Sequence, residues 1–229
     1  MKKTIHFAFL HSVPVMFGYL FLGIAFGLVL QEAGFGPLWA FASSLLIYAG
    51  SMQFLLPALL HSGTWLEIAV MTLLVNGRHL FYGLSFIEKF KKMGKAYLYM
   101  IFSLTDETFS VLCSLTEIPE EVDEKKASFL IALFDHIYWV TGSVLGGLAG
   151  HFIGFDATGI DFAMTALFVV IFIDQWKGTK NHLPAVLGLF IGIGSLILLG
   201  ANHFLLPALF LTVAVLILLR PYMNRKEAN

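Results

Sequence analysis

The chain has 229 residues, of which 58% are hydrophobic and only 13% are charged. A soluble domain carries about twice this charged fraction, and a protein of this size cannot bury so many apolar residues in one core. The net charge of −1 gives no indication of nucleic-acid binding, and the single cysteine excludes an internal disulfide. The composition predicts an all-α integral membrane protein, a single transmembrane domain over residues 1–229 that is surrounded by lipid.

Eight apolar segments approach the roughly 20 residues that a helix needs to cross a hydrocarbon core about 30 Å thick. Most connections between them are short, which leaves no room for a separate soluble domain. The segments are Val13–Leu30, Leu38–Leu60, Trp65–Ile87, Tyr97–Leu115, Ser128–Ile153, Phe162–Trp176, Leu183–Leu199 and Phe204–Leu219.

Basic residues indicate how these segments are threaded, because short cytoplasmic loops are enriched in Lys and Arg. If Leu38–Leu60 and Phe162–Trp176 each enter and leave on one side, nearly all the basic clusters become cytoplasmic. This scheme places the loop at Lys89–Lys95 in the cytoplasm and the acidic loop at Glu117–Asp123 outside. The clusters are Lys2-Lys3, Lys89–Lys95, Lys177 with Lys180, and Arg220 with Arg225 and Lys226.

Weak internal similarity accompanies this scheme. Two repeats, at about residues 8–115 and 128–220, would then have opposite orientations, each with one broken or re-entrant helix. Inverted repeats with interrupted helices are a recurring plan of transporters, which hold substrate near the midplane. At one constant offset, identical residues pair as Gly18 with Gly142, Gly23 with Gly147, Ala25 with Ala149, Ala33 with Ala157 and Ala42 with Ala166.

A helix break is predicted inside the second segment. Gly50 and Ser51 lower helix propensity, and Pro57 removes the hydrogen bond that residue 57 would donate. An unwound stretch would offer backbone groups to an amino-acid-sized zwitterion, with contacts from Tyr48, Ser51 and Gln53. The alternative is a small-residue face for helix packing.

The third and fourth segments carry ionisable groups where lipid favours apolar ones. Arg78, which follows Asn76, would clamp a substrate carboxylate, pair with Asp106, or extend to the headgroups. His79 would relay protons or be a satisfied interior group. Asp106 and Glu107 lie midway along their segment, where they would carry a coupling proton or form an ion pair.

Two further acidic positions lie in later segments. Asp135 and His136 are candidates for proton coupling or an ion pair, whereas Asp174 beside Lys177 is typical of an interfacial anchor. The sequence contains no catalytic signature of a protease, hydrolase or nucleotide-binding enzyme, and its histidines lack metal-ligand spacing. It therefore predicts no enzyme activity, no metal and no cofactor.

Four motifs in the same order resemble the AzlC family of branched-chain amino-acid permeases. They are Tyr48–Phe54 (Tyr-Ala-Gly-Ser-Met-Gln-Phe), Val75–Gly83 (Val-Asn-Gly-Arg-His-Leu-Phe-Tyr-Gly), Thr105–Phe109 (Thr-Asp-Glu-Thr-Phe) and Ile160–Phe168 (Ile-Asp-Phe-Ala-Met-Thr-Ala-Leu-Phe). Together with the early stretch from Pro14 to Gly27, the likeness covers most of the chain. Tyr48, Met52 and Gly77 depart from the residues that the family pattern leads us to expect.

The resemblance implies export of branched-chain or similar hydrophobic amino acids, together with a small membrane subunit of the AzlD type. From the residues themselves we expect a permease driven by the proton gradient, with helix N-termini, Ser51 and Arg78 at the substrate carboxylate. The alternatives are a channel for a small polar solute and a membrane scaffold that transports nothing.

Overall fold

The structure, a computed structural model, describes residues 1–115, 118–153, 169, 172–173, 176–177, 181–200 and 204–227. The described part is helical, as predicted. It divides into two compact units, Met1–Met164 and Thr165–Asn229. Among the described residues, two helices combine the length and apolar character needed to cross a membrane, Lys2–Glu32 and Glu124–Phe152.

The first unit is built on two long helices that pack closely along each other, α1 (Lys2–Glu32) and α7 (Glu124–Ile153). A Cβ on Gly27 would lie 2.1 Å from the Ser143 carbonyl oxygen, and one on Gly146 would lie 2.1 Å from the Ile24 carbonyl oxygen. Only glycine allows this approach, which is the means by which small residues join helices in lipid.

The contacts between α1 and α7 fix their relative direction. Phe9 near the start of α1 contacts Phe134, with ring centroids 6.2 Å apart, and Gln31 at its end lies against Gly150. The two helices therefore run in the same direction. We call the side on which both begin the N-terminal face, and the side on which both end the opposite face.

The second apolar segment forms two short helices, α2 (Pro37–Leu46) and α3 (Gly50–Ser62), separated by Ile47, Tyr48 and Ala49. The helix α2 starts beside Gly147, near the end of α7. The break lies beside Trp139 at the middle of α7, and His61 at the end of α3 returns to Phe35. The pair, which we call hairpin A, enters and leaves at the opposite face. The segment Leu38–Leu60 is broken into two helices, as predicted, and its re-entrant course through the membrane stays a prediction.

The helix α4 (Trp65–Lys91) then returns to the N-terminal face, where a 3₁₀ turn at Gly94–Ala96 leads into two more short helices. These are α5 (Tyr97–Phe102) and α6 (Asp106–Ser114). At about 1.5 Å per residue, neither is long enough to span a bilayer.

The two helices α5 and α6 form a second re-entrant pair, hairpin B. The ends of the pair, Tyr97 and Leu115, both pack against the apolar cluster that contains Phe90 and Ala8 at the N-terminal face. Its tip reaches Tyr48, whose ring centroid is 6.1 Å from that of Phe102. The prediction that Tyr97–Leu115 crosses fully is therefore wrong.

Ion pairs show which loops lie together at the N-terminal face. Lys3 pairs with Glu121, and Lys89 Nζ lies 2.7 Å from Glu124 Oε1. The acidic loop thus lies on the same face as both basic clusters. The prediction that Glu117–Asp123 lies on the side opposite to Lys89–Lys95 is wrong, because hairpin B turns back where a full span was expected.

The inverted repeats stay a prediction. The helices that open the two predicted repeats, α1 and α7, run in the same direction. Within the first unit, α1 is followed by hairpin A and α4 is followed by hairpin B. The extent of a repeat over residues 128–220 stays a prediction, because most of 154–180, including Phe162–Trp176 almost entirely, lies outside the described residues.

The second unit contains α8 (Leu183–Leu199) and α9 (Leu205–Glu227), which pack on each other. Trp176 stacks on His182 with ring centroids 4.0 Å apart. The residues Asp174 and Gln175, beside this stack in sequence, lie outside the described part of the chain.

We expect positions 92 and 121 to be exposed on the same side of the membrane. Lys2, Lys3, Lys89, Lys91, Lys92, Lys95, Lys125 and Lys126 all lie in segments at the N-terminal face, so the positive-inside rule makes that side cytoplasmic. Single cysteines at 92, 121 and 32, in a background with Cys113 replaced, should be tested with a membrane-impermeant thiol reagent.

In intact cells, the reagent should modify position 32, at the end of α1, and spare positions 92 and 121. Both of these should react once the membrane is permeabilised. Reaction of 121 but not 92 in intact cells would contradict the course of hairpin B.

Candidate functional site

The tips of hairpins A and B meet and border a small open cavity beside α4. The cavity has a volume of about 180 Å³. Each tip is a break between two helices. The N–H and C=O groups at these helix ends lack the hydrogen bonds that a continuous helix would give them. The lining residues are Ile47, Tyr48, Ala49, Asn76, His79, Ile101, Phe102 and Leu104.

Tyr48 forms the tip of hairpin A in an unusual conformation. Its φ of 46° lies in the left-handed region, which costs a residue with a side chain about 1–3 kcal/mol. The conformation is held by the surrounding side chains, since the Tyr48 ring stacks on His136 with centroids 4.2 Å apart. Strain retained at a helix break is typical of a functional position.

His136 links the two hairpins. Its Nε2 lies 3.1 Å from the Ser44 carbonyl oxygen in the last turn of α2, and its Nδ1 lies 3.1 Å from the Tyr99 hydroxyl. A carbonyl only accepts, so Nε2 donates to Ser44, and Nδ1 of the neutral ring accepts from Tyr99. His136 is thus a buried structural bridge that fixes the position of the Tyr48 ring.

The cavity contains hydrogen-bonding atoms whose partners are not supplied by the described residues. Asn76 Oδ1 is buried and has no hydrogen-bond partner within the described part of the chain, whereas the Tyr48 hydroxyl lies close to Tyr19. His79 lies one turn along α4, with Nδ1 3.2 Å from the Asn76 carbonyl oxygen. In the neutral ring this Nδ1 donates, which makes Nε2 an acceptor.

Gln53, whose contact with substrate stays a prediction, makes hydrogen bonds within the protein. Its Oε1 accepts from the Ala49 N–H at 3.0 Å and from Trp139 Nε1 at 3.1 Å, and its Nε2 donates to Ser44 at 3.3 Å. The side chain is completely buried and does not line the cavity. Its contacts join the two arms of hairpin A to α7.

Gly50 and Ser51 are also predicted to contact substrate at this break, and the structure places both in the first turn of α3. Gly50 begins α3 with its Cα facing the Trp139 ring, where an added Cβ would lie 3.4 Å from the nearest ring atom. Ser51 is half-buried in the first turn of α3. Neither residue lines the cavity, but the first-turn N–H groups of α3 begin directly beside Ala49, which does.

Hairpin B begins its second helix with the predicted acidic pair. Asp106 and Glu107 occupy the first turn of α6, where Thr105 is the N-cap and its side chain accepts from the Thr108 N–H. Carboxylates are favourable at this end of a helix because of its dipole. The helix break at Ser103–Thr105 thus supplies a structural reason for two adjacent acids at mid-membrane.

A polar chain connects α6 to the two long helices. Tyr19 in α1 donates to Glu107 Oε2 at 2.7 Å and lies 2.6 Å from Thr105 Oγ1. Thr108 donates to Asp135 Oδ2 in α7 at 2.8 Å. Asp135 is fully buried, and its Oδ1 has no hydrogen-bond partner among the residues that the structure describes.

The fold therefore brings most of the predicted residues into one region and separates them into three groups. Tyr48, Asn76 and His79 line the cavity, Glu107 and Asp135 belong to the polar chain, and His136 with Gln53 supports the tips. The backbone of Arg78 lies in α4, and its side chain lies outside the described part. Residues that sequence reasoning missed are Tyr19, Ser44, Tyr99 and Trp139, whose one visible signal is a polar group within an apolar segment.

A larger cavity, of about 480 Å³, lies in the second unit and differs in character. Its walls are mainly apolar, with Asn181 as the amide among them. Of the described lining residues, none is ionisable and none belongs to a helix break. The lining residues are Phe172, Trp176, Asn181, Pro184, Ala185, Gly188 and Leu189.

Comparison with known proteins identifies relatives of this chain. The family described as AzlC protein matches residues 14–153, which contain both hairpins and the cavity. The branched-chain amino acid transport protein AzlC of Bacillus subtilis is 41% identical over 223 residues, covering 97% of this chain and 87% of the relative. The inner membrane protein YgaZ of Escherichia coli is 30% identical over 179 residues, covering 74% and 72% of the two chains. No solved structure matches the chain significantly.

We expect Gln53→Leu to destabilise the protein. The change leaves the Ala49 N–H and the Trp139 Nε1–H buried without an acceptor, at about 1–3 kcal/mol for each donor. The free energy of unfolding should be measured in detergent by chemical denaturation. Gln31→Leu is the matched control, because Gln31 Oε1 is buried without a hydrogen-bond partner among described residues. Normal stability of Gln53→Leu with loss of ligand binding would show that Gln53 contacts substrate after all.

Proposed function

The chain belongs to the AzlC family, and on this basis we propose that it is a permease exporting branched-chain or similar hydrophobic amino acids. Its role is in membrane transport, and its location is the cell membrane. The observation that carries the proposal is the cavity between two hairpin tips. Transporters that alternate access hold substrate at such interrupted helices near the midplane.

The size and walls of the cavity suit a small amphipathic molecule. Sites for drug-sized ligands have volumes of about 300–1,000 Å³, so a cavity of about 180 Å³ suits a single amino acid. Ile47, Ile101, Phe102 and Leu104 supply an apolar surface for an aliphatic side chain. The polar atoms lie on the remaining wall and at the tip of hairpin A.

Those polar atoms divide into donors and acceptors, as a zwitterion requires. The N-terminus of α3, which begins directly beside Ala49 in the pocket lining, would hold the carboxylate. Asn76 Oδ1 and His79 Nε2 would accept from the ammonium group on the opposite wall. Arg78, the next residue but one after Asn76, stays a proposed second contact for the carboxylate.

We further propose that the proton gradient drives export. Carboxyl groups that lie within the membrane at a helix break are suited to exchange a proton between the two sides. Asp106 and Glu107 are the proposed carriers, and Asp135 lies on the same polar chain as Glu107. His79, in the cavity wall, would connect this chain to the substrate.

The resemblance to the family is the support for a partner. We propose that a small membrane subunit of the AzlD type joins the chain and completes the transporter within the lipid. The sequence similarity concerns this chain only, so the test compares transport with and without the small subunit.

We expect cells that express the chain together with the small subunit to export leucine, valine or methionine faster than cells with either chain alone. Preloaded labelled amino acid should leave at a rate that saturates with internal concentration and falls when the proton gradient is collapsed. Full efflux from vesicles containing this chain alone would remove the proposed partner. Flux that does not saturate would instead indicate a channel.

We expect Asn76→Leu to weaken binding of leucine roughly ten- to a hundredfold, as loss of a hydrogen bond to a charged group predicts. Competition with labelled leucine should be measured for leucine and for the corresponding 2-oxo acid, which lacks the ammonium group. The substitution should reduce affinity for leucine only.

The matched control is Thr72→Val, one turn earlier on α4, where the hydroxyl donates to the Ile68 carbonyl oxygen at 2.7 Å and lies outside the cavity lining. It should leave both affinities unchanged. Equal losses of affinity for leucine and the 2-oxo acid in Asn76→Leu would show that Asn76 shapes the cavity but does not bind the ammonium group.

A further inference from the structure

A continuous chain of hydroxyl groups joins two buried carboxyl groups across three helices. Glu107 Oε2 lies 2.7 Å from the Tyr19 hydroxyl, which lies 2.6 Å from Thr105 Oγ1. Thr105 Oγ1 lies 3.2 Å from Thr108 Oγ1, which lies 2.8 Å from Asp135 Oδ2. All four distances are within the range of hydrogen bonds.

Counting hydrogens shows what this chain requires. Each of the four contacts needs one hydrogen, whereas Tyr19, Thr105 and Thr108 have only one hydroxyl hydrogen each. If Glu107 and Asp135 were both ionised, both would accept, and one contact would have no hydrogen. The fourth hydrogen has to come from a carboxyl group at one of the two ends.

We propose that Glu107 and Asp135 share a single proton, which moves between them along Tyr19, Thr105 and Thr108. This deepens the proton coupling of the proposed function and rests on it for its role in transport. When Glu107 holds the proton, Glu107 donates to Tyr19, Tyr19 to Thr105, Thr105 to Thr108 and Thr108 to Asp135. When every hydrogen moves one step along, the proton arrives on Asp135 and Glu107 becomes a carboxylate. Each hydroxyl gives up one hydrogen and receives another, so none is left charged.

The location of the chain makes this transfer useful for transport. Its centre is the N-terminal turn of α6, so any movement of hairpin B relative to α1 or α7 lengthens a contact and interrupts the path. Proton position and hairpin position are therefore linked. Asp135 has no solvent exposure, and its Oδ1 has no hydrogen-bond partner in the described part of the chain.

Other titratable groups face the two carboxyls and enter any pH dependence. Asp106 precedes Glu107 in the first turn of α6. Tyr48 and Tyr99 are close enough to interact electrostatically with Asp135, and Tyr48 also with Glu107. His136 follows Asp135 in α7 and binds Tyr99 through Nδ1. Because these groups contribute to any pH profile, the decisive test follows the shared proton directly.

Infrared spectroscopy of the full chain in lipid detects a protonated carboxyl by its C=O stretch. The wild type should show one such band that is lost in Glu107→Gln and equally in Asp135→Asn. Either amide supplies an N–H donor at its end of the chain, so the remaining carboxyl only needs to accept. Asp123→Asn, in the loop where Asp123 pairs with Lys126, should keep the band. A band lost in only one of the two amide variants, or absent from the wild type, would overturn the shared proton.

Transport supplies a second readout. Tyr19→Phe removes the hydroxyl that receives the proton from Glu107, so proton-driven efflux should fall roughly tenfold, as expected for one lost hydrogen-bonded link. Exchange of labelled for unlabelled substrate, which needs no net proton movement, should continue. Tyr138→Phe is the matched control, since that hydroxyl contacts Ser12 and lies outside the chain.

Unchanged proton-driven efflux in Tyr19→Phe would overturn the path through Tyr19. The infrared measurement needs no substrate, so its result holds even if the exported molecule proves to be something other than an amino acid. In that case the proposed function fails while the shared proton stands.

Discussion

The architecture depends on the cost of an unsatisfied backbone group in hydrocarbon. A helix that stops at mid-membrane leaves N–H and C=O groups without partners, which lipid cannot supply. Here two helices stop there, at Ile47–Ala49 and at Ser103–Thr105, and side chains supply what lipid does not. Gln53 binds the Ala49 N–H, His136 binds the Ser44 carbonyl oxygen, and Thr105 caps α6.

These hydrogen bonds to the helix ends depend on the close packing of the two long helices. The tips of both hairpins take their partners from the middle of α7, through Asp135, His136 and Trp139. The glycine contact at Gly27 and Gly146 holds α1 against α7, which brings Tyr19 to the tip of hairpin B. Rigid packing of the long helices is therefore a precondition of both the cavity and the polar chain.

The proposed substrate and proton groups lie on the two sides of the same tips. Tyr48, which faces the cavity, stacks on His136, the neighbour of Asp135 in α7. Ligand in the cavity and a proton on the chain thus contact the same short helices. A displacement of hairpin B would change both sites together, which is the physical requirement for coupling one flux to another.

The sequence by itself determined the membrane class, the helical fold, the presence of a break within Leu38–Leu60 and the set of polar residues within apolar segments, although the break lies before Gly50 and Pro57 is inside α3. Lipid excludes charge and unpaired backbone so strongly that composition and single polar residues are sufficient for these conclusions. The sequence did not reveal that Tyr97–Leu115 turns back, because a re-entrant pair and a full span have the same length and hydrophobicity. Nor did it separate Gln53, a support, from Asn76, a lining residue. Those distinctions depend on which residues distant in sequence meet in space, and the close packing of α1, α7 and the hairpin tips decides them.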